Sequence, residues 1–174
     1  IWDGAMQARF ESRIARITAS AGLPLSWVDN LEFKAFVEDF IPAARLFSRR
    51  TLTSRILPAE VAVNRRSCVS RVKDGECTIA YDAWTGNNQQ NLLPFQGHAK
   101  GEIFTISVHD ISGERKFAIN LLPLIEQAYE DAQNIYGVNV VAIVSDAGGD
   151  ARAAPQMFGR KHPRLVIPDC YAHQ

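Results

Sequence analysis

The sequence predicts an α/β protein: a helical segment over residues 1–73, then a mixed sheet with flanking helices over 74–174. Three observations lead there. Apolar residues recur at helical spacing through the first segment. At Lys73-Asp74-Gly75 the pattern changes to short runs rich in strand formers. A long helical pattern then precedes the β-branched run 138–144, so a hairpin meander leads through a crossover helix to a buried strand.

The elements follow in order. Met6, Phe10, Ile14 and Ile17 predict a helix over 3–20, with Gly22 as its stop. Asn30 is placed to cap a second helix running to about Phe40. A third helix is expected to start at Thr51 or Thr53, with Pro58 in its first turns, where proline is best tolerated. Beyond the turn at 73–75, residues 77–81 read as a strand ending at Asp82. Strands are expected over 91–98 and 102–110, joined by a tight turn at Lys100-Gly101. A helix over 116–136 is closed by Gly137. The run 138–144 reads as a strand buried on both faces. A short helix over 151–159 and a last short strand over 165–167 complete the order.

Composition excludes several classes. Apolar residues are 47% and charged residues 22%, which rules out disorder and coiled coil. No stretch approaches the roughly 20 apolar residues of a membrane span, so no membrane partner is expected. Cys68, Cys77 and Cys170 form no CxxC pair, which fits a reducing compartment. The first residue is Ile1, and the chain is expected to be a piece of a longer protein.

The formal net charge is zero, but it is unevenly spread. Residues 1–73 hold 12 basic and 7 acidic side chains, and residues 74–174 hold 7 basic and 12 acidic. Between 45 and 73 lie Arg45, Arg49, Arg50, Arg55, Arg65, Arg66, Arg71 and Lys73, opposed only by Glu60. Such a segment can follow a phosphate backbone, or it can be a solvated helix face. Arg49, Arg50 and Arg55 are the best candidates for phosphate contact, with helix-end and surface pairing as the alternative.

Asp82 and Asp146 share a setting. Each ends an apolar strand and opens onto a glycine-containing turn. Carboxylates at the ends of adjacent strands converge on one crevice. Two aspartates there can bridge hard divalent cations, which activate a water and stabilise a leaving oxygen in phosphodiester cleavage. The alternative is that both are turn-forming residues or helix caps.

These residues also carry a resemblance. Ile79-Ala80-Tyr81-Asp82-Ala83-Trp84-Thr85 resembles the "D-x-W-T" strand of hAT-superfamily transposases. Val141-Ala142-Ile143-Val144-Ser145-Asp146-Ala147 resembles their second acidic strand, and Cys170-Tyr171-Ala172-His173 the C-x-x-H motif that follows. Ser112-Gly113-Glu114 before a helix also fits. Upstream, Leu46-Phe47-Ser48-Arg49-Arg50-Thr51-Leu52 resembles the "L-P-S-R-R-T-L" segment, with Phe47 where proline is usual. The resemblance runs from about Leu23 to the end. Its specificity lies in the order and spacing of motifs that are individually weak.

The resemblance implies the N-terminal part of an RNase-H-like, DDE-type catalytic region. Asp82 and Asp146 would be its first two acids and would hold two Mg²⁺ or Mn²⁺ ions. The third acid, a glutamate, is expected beyond Gln174; Glu114 and Glu126 do not sit at its position. The implied reaction is metal-dependent strand cleavage and transfer at transposon ends. The implied partners are transposon and target DNA and, in the full-length protein, further copies of itself. Nuclear localisation follows from the same resemblance. The fragment alone is expected to be inactive. The sequence departs from the family at Asp150, where asparagine is common. A non-catalytic, domesticated DNA-binding or regulatory protein is the alternative.

The remaining candidates are weaker. The spacing of Cys170 and His173 suits zinc, but Cys77 and His162 do not supply a second pair. The resemblance gives Cys170 and His173 a role in shaping the active-site neighbourhood instead. Trp84 is expected in the core, with base stacking as its alternative. Trp27 reads as a packing anchor. His98 and His109 read as sheet-surface residues.

Overall fold

The computed structural model describes residues 1–86, 89–113, 117–145 and 153–168, with the backbone alone for 117–120. The chain is mixed α/β and divides into two compact units, Ile1–Arg66 and Ser67–Gln174. The division falls inside a helix, ahead of the turn at 73–75. The reason is packing: Cys68 and Val72, in the last turns of that helix, belong to the core of the second unit.

The first unit is helical. Helix α1 (Gly4–Ser20) starts where Asp3 accepts a hydrogen bond from the Met6 N–H. It stops before Gly22, whose φ of +61° suits glycine. A 3₁₀ turn (Leu25–Asp29) leads to α2 (Leu31–Phe40). Asn30 caps α2 by accepting from the N–H groups of Glu32 and Phe33, as its sequence position predicts. The core of this unit gathers Ile14, Ala15, Val28, Leu52 and Ile56. Trp27 packs against it and donates its indole N–H to the Thr18 hydroxyl at 2.8 Å, so its polar edge is satisfied.

The third helix differs from the expectation. Helix α3 (Arg49–Thr51), a π-helical turn (Leu52–Ile56) and α4 (Leu57–Val72) follow one another without a break. The start is Ser48, whose side chain accepts from the Thr51 N–H. Pro58 is therefore interior to the helical run rather than in its first turns. Proline has no N–H and crowds the carbonyl four residues back, and the wider π turn immediately before it relieves that conflict.

The second unit is built on a five-stranded sheet. Its strands are β1 (Glu76–Tyr81), β2 (Trp84–Thr85), β3 (Asn91–Ala99), β4 (Glu102–Asp110) and β5 (Asn139–Ser145). β3 pairs antiparallel with β1, β2 and β4, while β1 pairs parallel with β5. Lys100 and Gly101 both have positive φ, which is the two-residue turn the sequence predicts between β3 and β4. Helix α5 (Phe117–Tyr136) makes the crossover, and α6 (Ala153–Lys161) follows β5.

One face of the sheet is buried. Cys77, Ile79, Tyr81, Phe95, Phe104 and Ile143 share a core with Leu121, Ile125 and Ala132 of α5 and Phe158 of α6. The other face is more open: Ile103 and Val108 are exposed, and Ala80, Ala142 and Val144 are only half-buried. β5 is therefore buried on one face, not on both, among the described residues. Residues 165–167 form no strand. Val166 makes a single parallel bridge to Ala142, since Pro163 and Pro168 limit a longer ladder.

Candidate functional site

β1 alternates buried and half-buried residues and carries the chain to Asp82, which is exposed. The ladder between β1 and β3 ends at Tyr81↔Phe95. It resumes in the same register at Trp84↔Leu92 of β2. Asp82 and Ala83 are thus a two-residue gap in one antiparallel ladder along β3. Pro94 stands at the register position opposite Asp82 and has no N–H to donate. The gap leaves the Asp82 carboxylate at a rigid strand end, free of the ladder.

On the other side, β1 runs parallel to β5 up to Tyr81↔Ser145. Both of these residues are buried. Asp82 follows the first, and Asp146 follows the second in sequence. Asp146 itself lies outside the described residues, as do Asp150, Glu114, Cys170 and His173. Among the described residues the buried Tyr81 hydroxyl makes no well-formed hydrogen bond. Burial pushes its pKa up to about 12, with the nearby Ser145 side chain pulling the other way.

Trp84 is 49% exposed, contrary to the core position expected of it. The reason is its place in the short strand β2, which among the described residues pairs with the start of β3 alone. Its exposed ring is available for stacking.

Beside β2 lies a polar network that the spacing of the motifs does not signal, although Thr85 and Ser112 stand within them. Thr85 donates to the Asn91 side chain at 2.8 Å, and the Asn91 N–H donates to the Ser112 hydroxyl at 2.8 Å. Ser112 donates to Asp110 through both its hydroxyl and its N–H. Those two bonds hold the Asp110 carboxyl below its usual range. The spacing Asp110-Ile111-Ser112 is an Asx-turn signal and could have located it. The network ties β2, the start of β3 and the end of β4 together, which steadies the strand that resumes after Asp82.

Among potential metal ligands, Asp82 supplies the hard oxygen donor that Mg²⁺ and Mn²⁺ prefer. No group of three or more His, Cys, Asp or Glu residues that could hold an ion occurs among the described residues. Cys68 and Cys77 are buried free thiols and belong to no zinc set among those residues.

The basic candidates lie in the helical unit. Arg49 and Arg50 are exposed, and their side chains form no ion pair among the described residues. Arg55 is engaged: its guanidinium donates twice to the Glu11 carboxylate, at 2.8 and 3.1 Å. That hydrogen bond is the leading cause of a lowered Glu11 pKa, and it raises that of Arg55. Arg71 is similarly bound to Glu102, at 3.0 and 3.3 Å. Of the three arginines expected to meet phosphate, Arg49 and Arg50 are open to solvent and Arg55 is held by its own chain.

No helix among the described residues is long and apolar enough to cross a membrane. Compared with models of protein families and with curated protein sequences, the chain matches none of them.

Proposed function

We propose that the chain is the N-terminal part of the catalytic region of a hAT-like DNA transposase, acting in the nucleus as an oligomer. The observation that carries this reading is the parallel pairing of β1 and β5, whose last register pair is Tyr81↔Ser145. It sets side by side the two strand ends that Asp82 and Asp146 follow in sequence. Paired carboxylates leaving adjacent strands are what a metal-dependent phosphodiester site requires. The antiparallel meander and helical crossover to a parallel strand are also the topology expected of an RNase-H-like sheet.

In this reading Asp82 and Asp146 hold Mg²⁺ or Mn²⁺, with a glutamate beyond this chain as third ligand. The bound ions supply an activated water and charge stabilisation at the scissile phosphate. The chain's own residues do the rest. Arg49 and Arg50 bind backbone phosphates. Trp84 offers an exposed ring to an unstacked base near the site.

The test uses the longer parent protein. Asp82→Asn and Asp146→Asn are each expected to abolish strand cleavage while DNA binding is retained. Normal cutting by either variant overturns the assignment. Residues 1–174 alone are expected not to cut. A parent that binds transposon ends without cutting them identifies the domesticated, non-catalytic form.

A further inference from the structure

A cavity of about 380 Å³ opens in the sheet unit, lined by residues of α5, the start of β5 and the segment after α6. That volume lies within the range of small-ligand sites. The cavity sits at the Asn139 end of β5. At ~3.3 Å per residue, its β5 lining, Asn139 to Val141, is about 13–20 Å from the Ser145 end, so the site is separate from Asp82.

Its lining combines an aromatic wall with polar groups. Tyr129 and His162 place their ring centroids 4.9 Å apart. His162 is stacked at 4.3 Å on Phe158, which is fully buried. Asn139 and Arg164 line the same cavity, with Val140 and Leu165 as apolar surface. The side chains of Tyr129, His162, Asn139 and Arg164 make no hydrogen bond or ion pair with any described residue. Among the described residues, four polar side chains of the lining are therefore uncommitted.

The lining backbone is held by hydrogen bonds. The His162 N–H closes the end of α6 by donating to the carbonyls of Phe158 and Gly159, each at 3.1 Å. The Leu165 N–H donates to the His162 carbonyl at 3.0 Å, forming a turn with Pro163 in its second position. That turn presents Arg164. The Val166 N–H then donates to the Val141 carbonyl at 3.0 Å, which ties the turn to β5.

We infer that this cavity binds a planar ring bearing an anionic group, the chemistry of a nucleoside monophosphate. The ring lies against Tyr129 and His162, because stacking on an aromatic wall accepts any base. The Arg164 guanidinium takes the phosphate, for which its fork of donors is suited. The Asn139 amide donates to or accepts from the edge of the base. The same chemistry can come from a free nucleotide or from an unstacked nucleotide of a single strand. The inference does not rest on the role given to Asp82.

The experiment titrates the full chain with deoxyadenosine monophosphate, deoxyadenosine, inorganic phosphate and a short oligodeoxyadenylate, following backbone resonances by NMR. Saturable shifts are expected at Tyr129, Asn139 and His162–Leu165 with the monophosphate. Arg164→Gln, at an exposed position, is expected to weaken the monophosphate about tenfold, as removal of a charge-assisted pair does, and to leave deoxyadenosine unchanged. Tyr129→Leu is expected to weaken both. Tighter binding of the oligomer through the same residues identifies a single strand as the source, and tighter binding of the monomer a free nucleotide; either supports the inference. Three results overturn it: no saturable shift at these residues at millimolar monophosphate, unchanged affinity in Arg164→Gln, or inorganic phosphate binding as tightly as the monophosphate.

Discussion

Tyr81 and Ser145 are the last register pair of two parallel strands, and among the described residues the buried Tyr81 hydroxyl makes no well-formed hydrogen bond, although the Ser145 side chain lies near it. A buried unsatisfied hydroxyl costs about 1–3 kcal/mol. Tyr81→Phe keeps the ring and its contact with Phe95 and removes that cost. The variant is expected to be as stable as the native chain or more so by about 1 kcal/mol, read by urea denaturation. A decrease above about 2 kcal/mol would show that the hydroxyl has a partner in solution.

The same group predicts an alkaline dependence. Burial raises the Tyr81 pKa from its ordinary value of 10 to about 12. The folded state therefore holds this proton more tightly than the unfolded chain does. Stability from this group is full below about pH 10 and is lost as the pH rises through about 12. In paired denaturation curves, the native chain should lose more stability than Tyr81→Phe between those limits. Identical slopes would refute it.

Gly97 lies opposite Phe104 across the β3–β4 ladder, and a Cβ on Gly97 would sit 2.3 Å from the Phe104 ring. The phenyl group covers the space that a side chain would fill. Gly97→Ala is expected to destabilise the sheet unit by about 1–3 kcal/mol through overpacking. Because the conflict is with one ring, adding Phe104→Leu should cost less in the Gly97→Ala background than in the native one. Strict additivity in the double-mutant cycle would remove the explanation.

The capture of Arg55 by Glu11 sets an order among the arginines. If Arg49 and Arg50 bind phosphate, their joint replacement by alanine should lower the salt slope of DNA binding by about 0.9 for each phosphate no longer neutralised. Arg55→Ala should change the slope less, since that side chain is already bound. Glu11→Gln should then release Arg55 and strengthen DNA binding. Equal slopes for Arg49, Arg50 and Arg55 variants would contradict this order.

Glu11 also predicts an acid effect. Its folded pKa is lowered, chiefly by the hydrogen bond from Arg55. Its contribution is present above the ordinary glutamate range and is lost as the pH falls through the folded value. The Arg55 side chain is 59% exposed, so screening limits the gain to under about 1 kcal/mol. Thermal denaturation of the native chain and Glu11→Gln should converge as the pH is lowered below that range.

Much of the local structure is legible in the sequence because its causes are local. Asp3, Asn30 and Gly22 begin or end helices through their own side chains or backbone freedom. Lys100-Gly101 reads as a two-residue turn for the same reason. The third helix starts earlier than its apolar pattern suggests because Ser48 caps it, and because a π turn lets Pro58 lie inside the helical run. The second buried face expected of β5 rests on its β-branched residues alone. Such a run records strand preference, and which face is covered depends on the helices packed against it.

The residue pattern alone specifies most of the helices and strands, though not the short β2 or the loss of the strand expected over 165–167, and it specifies the division of charge and Asp82 at the end of an apolar strand. Each depends on neighbouring residues, whose sterics and hydrogen bonds act within a turn or two. Tertiary structure alone decided that β1 lies parallel beside β5, since that pairing joins residues more than 60 positions apart. It also decided that Arg55 is held by a glutamate 44 positions away and that Trp84 stands on an exposed edge. The physical reason is common to all three. Long-range pairing is set by which surfaces bury together, and no local spacing encodes that choice.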